Sequence, residues 1–312
     1  MNRIQLTNDS HRAEPCVATV GFFDGVHRGH QYLISQMQQV AAIRHLSTVS
    51  VVTFDRHPRQ VLHADYQPQL LSSLEEKEQL LSRAGVNNMV VLNFDKQMAQ
   101  LSARQFMEQV LRDRLGVRVL LTGYDNHFGH RGQQQEGFHQ YVDYGRELGI
   151  EVVEGLPLFI GEGCVSSSLV RRLLYEGNVE EAAKCLGRCY SLTGQVVDGH
   201  HIGRHLGFPT ANLRLSSEQK LVPMAGVYGV RCHIDSAVVG GMMNIGTRPT
   251  FGGNKTTLEV HLFGIDTDLY GRQLTVDFVF RQRQEQRFGS ACELERQLQL
   301  DAEAISCKLR NL

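Results

Sequence analysis

A chain of 312 residues, 42% hydrophobic and 21% charged, has room for two domains of ordinary size, each with its own core. Its 32 Lys and Arg against 33 Asp and Glu leave a net charge of −1, which excludes broad attraction to nucleic acid or an anionic membrane; no apolar run nears the roughly 20 residues that span a bilayer. Seven cysteines without a CxxC pair argue against a disulfide framework or a zinc site, and the N-terminus MNRIQLTNDSHRAEP has no apolar signal core, so a reducing, cytoplasmic setting is expected.

From Cys16 to about Glu154, short β-branched runs alternate with stretches at helical spacing. Strands are predicted at 16–21, 48–54, 88–94, 117–123 and 150–155, and helices near 29–46, 75–84, 102–115 and 137–148. Apolar runs without strict alternation imply strands buried on both faces, so this half is expected to be a doubly wound, parallel, Rossmann-like sheet with ligands beyond the carboxyl ends of its strands.

GFFDGVHRGH (21–30) closes the first strand and opens the next helix. Gly21, Phe22, Asp24 and Gly25 form the turn and are expected to bind phosphates, while His27 and His30, one helical turn apart, share a face where amide groups favour an anion. Histidines that merely cap the helix are the structural alternative. TFDRHPR (53–59) and TGYDNHFGHRG (122–132) end two further strands and should open on the same rim, as substrate loops or as solvated ones.

VSSSLVRRLLYE (165–176) reads as a capped helix and 179–186 as another, with a domain boundary expected at about Gly187, giving domains 1–186 and 187–312. Short alternating segments follow at 190–197, 226–234, 238–245, 257–263 and 273–281, then a helix near 290–309. Strands without intervening helices imply an antiparallel sheet or small barrel with a terminal helix.

Within it, GHHIGRHLGFPTAN (199–212) reads as a phosphate site. Gly199, Gly203 and Gly207 let backbone amides approach an anion, and Arg204 supplies a fixed positive fork. If 208–213 is extended, Thr210 and Asn212 present two oxygen ligands on one face, a donor set suited to Mg²⁺. In TTLEVHLF, Thr257, Glu259 and His261 alternate with Leu258, Val260 and Leu262, which leaves Glu259 as either a general base or half of an ordinary cross-strand pair.

GxxxGRxLGFPTAN, followed by GVYGV, NIGTRPTF, LEVHLF and LYGRQLTV, resembles the riboflavin kinase module, and GFFDGVHRGH is similar to the flavin adenylyltransferase module. Together they resemble the prokaryotic bifunctional FAD synthetases over nearly the whole chain. The resemblance implies an N-terminal nucleotidyltransferase domain and a C-terminal riboflavin kinase barrel, with riboflavin, FMN and ATP as substrates, Mg²⁺ as cofactor, FMN and FAD as products, and neither nucleic acid nor membrane as partner. It implies that Glu259 is the base, that His27, His30, Ser168 and Arg171 meet ATP phosphates, and that Asp125, Asn126, Arg283, Glu285 and Phe288 face the flavin. The chain departs from the family pattern at Arg56, where proline is usual, and at Asn126 and His127. A kinase with a degenerate adenylyltransferase domain is the alternative; a nucleic-acid-binding barrel is more remote, since the chain has no Trp and no basic excess.

Overall fold

The computed structural model describes residues 1–6, 14–62, 65, 67–124, 128–129, 137–161, 163–198, 207–250, 253–265 and 267–312. They form two compact units, Met1–Ser167 and Ser168–Leu312.

In the first unit six strands, β1 (Asn2–Gln5), β2 (Cys16–Val20), β3 (Thr48–Phe54), β4 (Asn88–Leu92), β5 (Val117–Thr122) and β6 (Glu151–Glu154), form a sheet in the order β1-β4-β3-β2-β5-β6. All of its pairings are parallel. Every residue of β2 is buried, as a central strand covered on both faces requires. Successive residues feed opposite layers. Val17, Val51 and Met89 pack with Ile34 and Met37 of α1 (Arg28–Ile43) and with Leu81 of the helix Leu74–Arg83, whereas Ala18, Val52 and Val90 pack with Phe106, Met107 and Tyr141.

The remaining helices of this unit are α2 (Pro58–Leu62), α3 (the helix Leu74–Arg83), α4 (Ala103–Phe106), which continues into a π-helical turn over Met107–Arg112, and α5 (Phe138–Leu148). A small hairpin of β7 (Phe159–Ile160) and β8 (Gly163–Cys164) follows. The predicted strands and longer helices are present. The additions are α2, the β7–β8 hairpin and the edge strand β1, whose NRIQ segment is almost wholly exposed and so carries no apolar pattern.

The second unit takes in most of α6 (Ser167–Tyr175), then α7 (Val179–Leu186) and a closed antiparallel barrel. Its strands are β9 (Tyr190–Val197), β10 (Ala211–Leu215), β11 (Gly226–Ile234), β12 (Ala237–Thr250), β13 (Gly253–Leu262) and β14 (Gln273–Arg283), in the order β10-β13-β12-β11-β14-β9. Leu192, Tyr228, Val230, Met243, Val260, Val276 and Phe278 are buried and fill the interior. The terminal helix α8 (Ala291–Arg310) covers part of the outside through a cluster of Val227, Met242, Phe280 and Ile305. β12 runs beyond the expected 238–245 because Gly246 to Thr250 keep pairing with Gly253 to Thr257, although a Gly- and Pro-containing run shows no alternation.

Candidate active site

In the first unit the site begins where β2 ends. Gly21 donates its N–H to the Val52 carbonyl, and the chain then turns through Phe23 and Val26 with φ of 53° and 39° and Gly25 with φ of 76°. Two non-glycine residues in the left-handed region are costly and persist only where surrounding contacts enforce them. Here the enforcement is visible. Phe23 and Val26 are buried, and the Asp24 carboxylate accepts the amide N–H groups of Leu71 and Ser72 at 3.0 and 3.1 Å. Asp24 is expected from the sequence among the phosphate-binding residues; in the fold its carboxylate fastens the turn to the segment before α3, while the Ser72 hydroxyl accepts the Gly25 N–H at 2.9 Å.

This turn delivers His27 to the N-cap of α1, where its Nδ1 accepts the His30 N–H at 3.3 Å. An accepting Nδ1 places the proton of neutral His27 on Nε2. The two imidazoles stack with centroids 3.6 Å apart and planes 20° from parallel. Gly29 permits this packing, because a Cβ there would lie 2.9 Å from the Val165 carbonyl oxygen and 3.1 Å from the His27 ring. The Phe23 ring lies 4.6 Å from His30, whose Nδ1 is shielded and without a hydrogen-bond partner among the described residues. Burial, with smaller contributions from His27 and Lys77, holds the His30 imidazole well below its usual pKa, so it is neutral.

The loop after β3 reaches the same turn, with the His57 ring 4.9 Å from Phe22. The Arg56 guanidinium folds onto neighbouring Asp55 at 3.2 Å, and Asp55 also accepts the Phe94 N–H. Asp125, Asn126 and His127 lie outside the described residues. The next residue is anchored: Phe128 stacks on Tyr141, and its N–H and carbonyl both bond the Tyr141 hydroxyl at 3.2 Å. Neither His57 nor Tyr141 was singled out from sequence, since a lone aromatic or imidazole on a helix or loop carries no spacing signal.

Arg171 and Ser168 sit on α6, Ser168 exposed and Arg171 half-buried. The hydroxyl that reaches the turn is that of Ser167, donating to the Asp24 carbonyl at 3.0 Å.

In the second unit, strand register builds the site. Asn212 on β10 lies opposite Glu259 on β13, Glu259 opposite Asn244 on β12, Asn244 opposite Val227 on β11, and Val227 opposite Arg283 on β14. Directly paired residues share a face, so this row runs around the outside of the barrel while Val260 and Met243 point inward. Over it lies a cleft of about 310 Å³ whose walls include Thr210, Asn244, Glu259, His261, Arg283, Glu285 and the rings of Phe208 and Phe288. Leu294 and Leu298 of α8 complete the wall.

A second cavity of about 430 Å³ is bounded by Pro209, Thr210, Ile265, Asp268, Leu269 and Tyr270. Thr210 borders both cavities. Pro209 is held by His261, whose Nδ1 donates to the Pro209 carbonyl at 2.9 Å, because a carbonyl can only accept. Gly207, at φ 76°, starts this segment with a backbone that only glycine adopts freely, while Gly199, Gly203 and Arg204 lie outside the described residues.

Thr210, Glu259, Arg283, Glu285 and Phe288, chosen from separate motifs, therefore line one cleft, with Asn212 joined to them as the register partner of Glu259. Arg283 has a second task. Its guanidinium bonds buried Asp301 of α8 at 2.7 and 2.8 Å, which leaves it less able to reach a ligand than the sequence suggests. Asn244, Thr247, Thr257, His261 and Gln286 are the polar cleft residues outside the set of candidate site residues.

An FAD synthetase family model matches residues 9–169 and a riboflavin kinase family model matches residues 186–309. The bifunctional riboflavin kinase/FMN adenylyltransferase of Escherichia coli (strain K12) is 37% identical over 289 residues, covering 92% of this chain and 91% of that protein. The protein of the same description from Bacillus subtilis (strain 168) is 34% identical, covering 100% of this chain and 99% of its own. A Streptococcus pneumoniae crystal structure described as a macrolide-efflux protein superimposes with a TM-score of 0.88 at 31% identity, covering 97% of this chain and 98% of that one. Among the described residues, no helix is long and apolar enough to cross a membrane. Two family models in tandem, curated relatives of matching length and the barrel with its lined cleft lead to one assignment: the chain belongs to the bifunctional riboflavin kinase/FMN adenylyltransferase family.

Proposed function

We propose that this member of the family carries its two transfers on two sets of residues. As a transferase it phosphorylates riboflavin to FMN with ATP and then adenylylates FMN with a second ATP to give FAD and pyrophosphate. The observation that carries the kinase assignment is Thr210, which borders both cavities, with Glu259 on the wall of only the first. The aromatic and aliphatic walls of the first suit a flavin ring, and the second takes the ATP. Glu259 removes the proton of the ribityl 5′-hydroxyl as that oxygen attacks the γ-phosphorus and the bond to ADP breaks.

The hydroxyl of Thr210 and the amide oxygen of Asn212 are hard donors, and among the described residues no three His, Cys, Asp or Glu converge as a metal cluster. That donor set fits Mg²⁺, which keeps several waters and phosphate oxygens and needs only one or two protein ligands. When bound, it supplies neutralisation of β- and γ-phosphate charge. The glycines and Arg204 of residues 199–207 complete the phosphate contacts on the resemblance alone.

For adenylylation, the stacked pair sits at the start of α1, where helix amides favour an anion. His27 offers its Nε2 proton to phosphate oxygens as the α-phosphorus is attacked, and neutral His30 backs the ring that donates. Arg171 and Ser168 join as phosphate partners, and Asp125 and Asn126 as flavin contacts, on the resemblance. The test is direct: incubate the protein with riboflavin, ATP and Mg²⁺ and separate the flavins. FMN followed by FAD is expected. FMN alone would mean the first unit does not adenylylate.

A further inference from the structure

Lys77 is buried to 2% exposure in the first unit, yet no step above uses it. It stands on the first turn of α3, after a capping box in which Ser73 and Glu76 exchange hydrogen bonds. A cation there opposes the positive end of the helix dipole. Its Nζ donates to the Phe22 carbonyl at 2.6 Å and to the Thr53 hydroxyl at 3.3 Å, and it lies 4.0 Å from the centre of the Phe22 ring. The Thr53 hydroxyl itself donates to the Phe22 carbonyl at 3.1 Å. Two donors from β3 and α3 thus converge on one carbonyl of the turn that presents His27 and His30.

We propose that Lys77 is a positioning residue for adenylyl transfer, fixing the Phe22 carbonyl and so the turn that holds the stacked histidines. The inference rests on the assignment of His27 and His30 given above. An apolar residue of the same length would fill the volume without the cost of desolvating a charge, so a role in packing alone does not account for an ammonium. Burial pulls its pKa down to about 8 against an opposing pull from Asp24, so the ammonium is charged at neutral pH. That charge acts on His30. The ionisable groups bearing on His30 are His27 at the start of its own helix and Lys77 from α3, both of which disfavour its protonation, while Asp24 of the turn acts on Lys77. Lys77 therefore couples the geometry of the turn to the neutrality of His30.

The test uses the full chain. K77M should lower kcat for conversion of FMN to FAD by about 10- to 100-fold, the scale of a reacting group displaced by an ångström. Riboflavin phosphorylation should be kept and the melting midpoint at pH 7 should not fall. In protein with ¹⁵N-labelled histidine, the His30 signal, identified by its loss in H30N, should protonate at higher pH in K77M. T53V retains the charge and should lower kcat severalfold without moving that titration. Unchanged kcat in K77M overturns the proposal, as do activity and melting falling together with His30 unmoved. Should K77M not fold, unchanged kcat in T53V overturns it and a severalfold loss supports it. H30A separates the two levels: if it loses adenylylation while K77M keeps it, only the role of Lys77 fails, whereas adenylylation surviving in H30A removes the site assignment beneath it.

Discussion

Glu259 is set apart from other strand carboxylates by its neighbours: Asn212 and Asn244 flank it in register, and the cleft lies over it. Replacing it by Gln keeps shape and removes the proposed base, so riboflavin phosphorylation should slow by roughly 10²- to 10⁴-fold while supplied FMN is still converted to FAD. A parallel loss of both rates would mark Glu259 as structural. Lys77 makes a prediction in pH. Its pKa is 10.5 when unperturbed and about 8 in the fold, so between those values the unfolded chain holds more protons and stability rises with pH. Below pH 8 the fold carries the whole cost, roughly 3 kcal/mol at 1.36 kcal/mol per pH unit. Urea titrations should therefore find K77M favoured relative to the natural protein at pH 7, with that advantage shrinking as pH approaches 10.5; a constant difference would refute it. His30 has the same sign at lower pH. Its depressed pKa gives stability that is present above 6.5 and lost as pH falls below it.

Among the elements, α8 depends on one ionic contact. Asp301 is 2% exposed, accepts a hydrogen bond from Arg283 Nε at 2.8 Å with the Arg283 Nη2 in ion-pair contact at 2.7 Å, and takes another hydrogen bond from Gln297 at 3.0 Å. D301A leaves a largely buried guanidinium without its partner, and removal of one member of such a pair costs about 3 kcal/mol or more. Because Leu294 and Leu298 of the same helix wall the cleft, KM for riboflavin should rise more than kcat falls. Chemical denaturation with steady-state kinetics checks both, and an unchanged unfolding midpoint would show that the pair contributes nothing. The helix itself was legible, as was the alternation of β13, because each has a solvent face and a buried face whose periods show in the letters. The Arg283–Asp301 bond was not, since nothing in RQRQEQRF or QLDAEAI gives the register between a strand and a helix.

For the whole molecule, the predicted boundary near Gly187 and the observed grouping differ in a way that can be tested. Val179, Ala182, Cys185 and Leu186 of α7 are buried, and α7 packs on β9 and β14. Met224 donates its N–H to the Leu174 carbonyl, and Arg281 bonds the Glu176 and Ala225 carbonyls. A fragment of residues 168–312 should fold and make FMN. One of residues 187–312 exposes the surface that α7 covers, and should melt lower and lose much of that activity; equal melting of the two would show that α7 is dispensable. The sequence by itself determined the two architectures, because hydrophobic period depends on burial and burial on layer. It also nominated candidate residues for the chemistry, because glycines at turns, a histidine pair one helical turn apart and a carboxylate on an alternating strand leave local signatures. Only the tertiary structure decided what those groups face. Asp24 turns to backbone amides, Arg283 to Asp301, Lys77 to the Phe22 carbonyl and His261 to that of Pro209, and each partner is brought by a different element whose register no local pattern encodes.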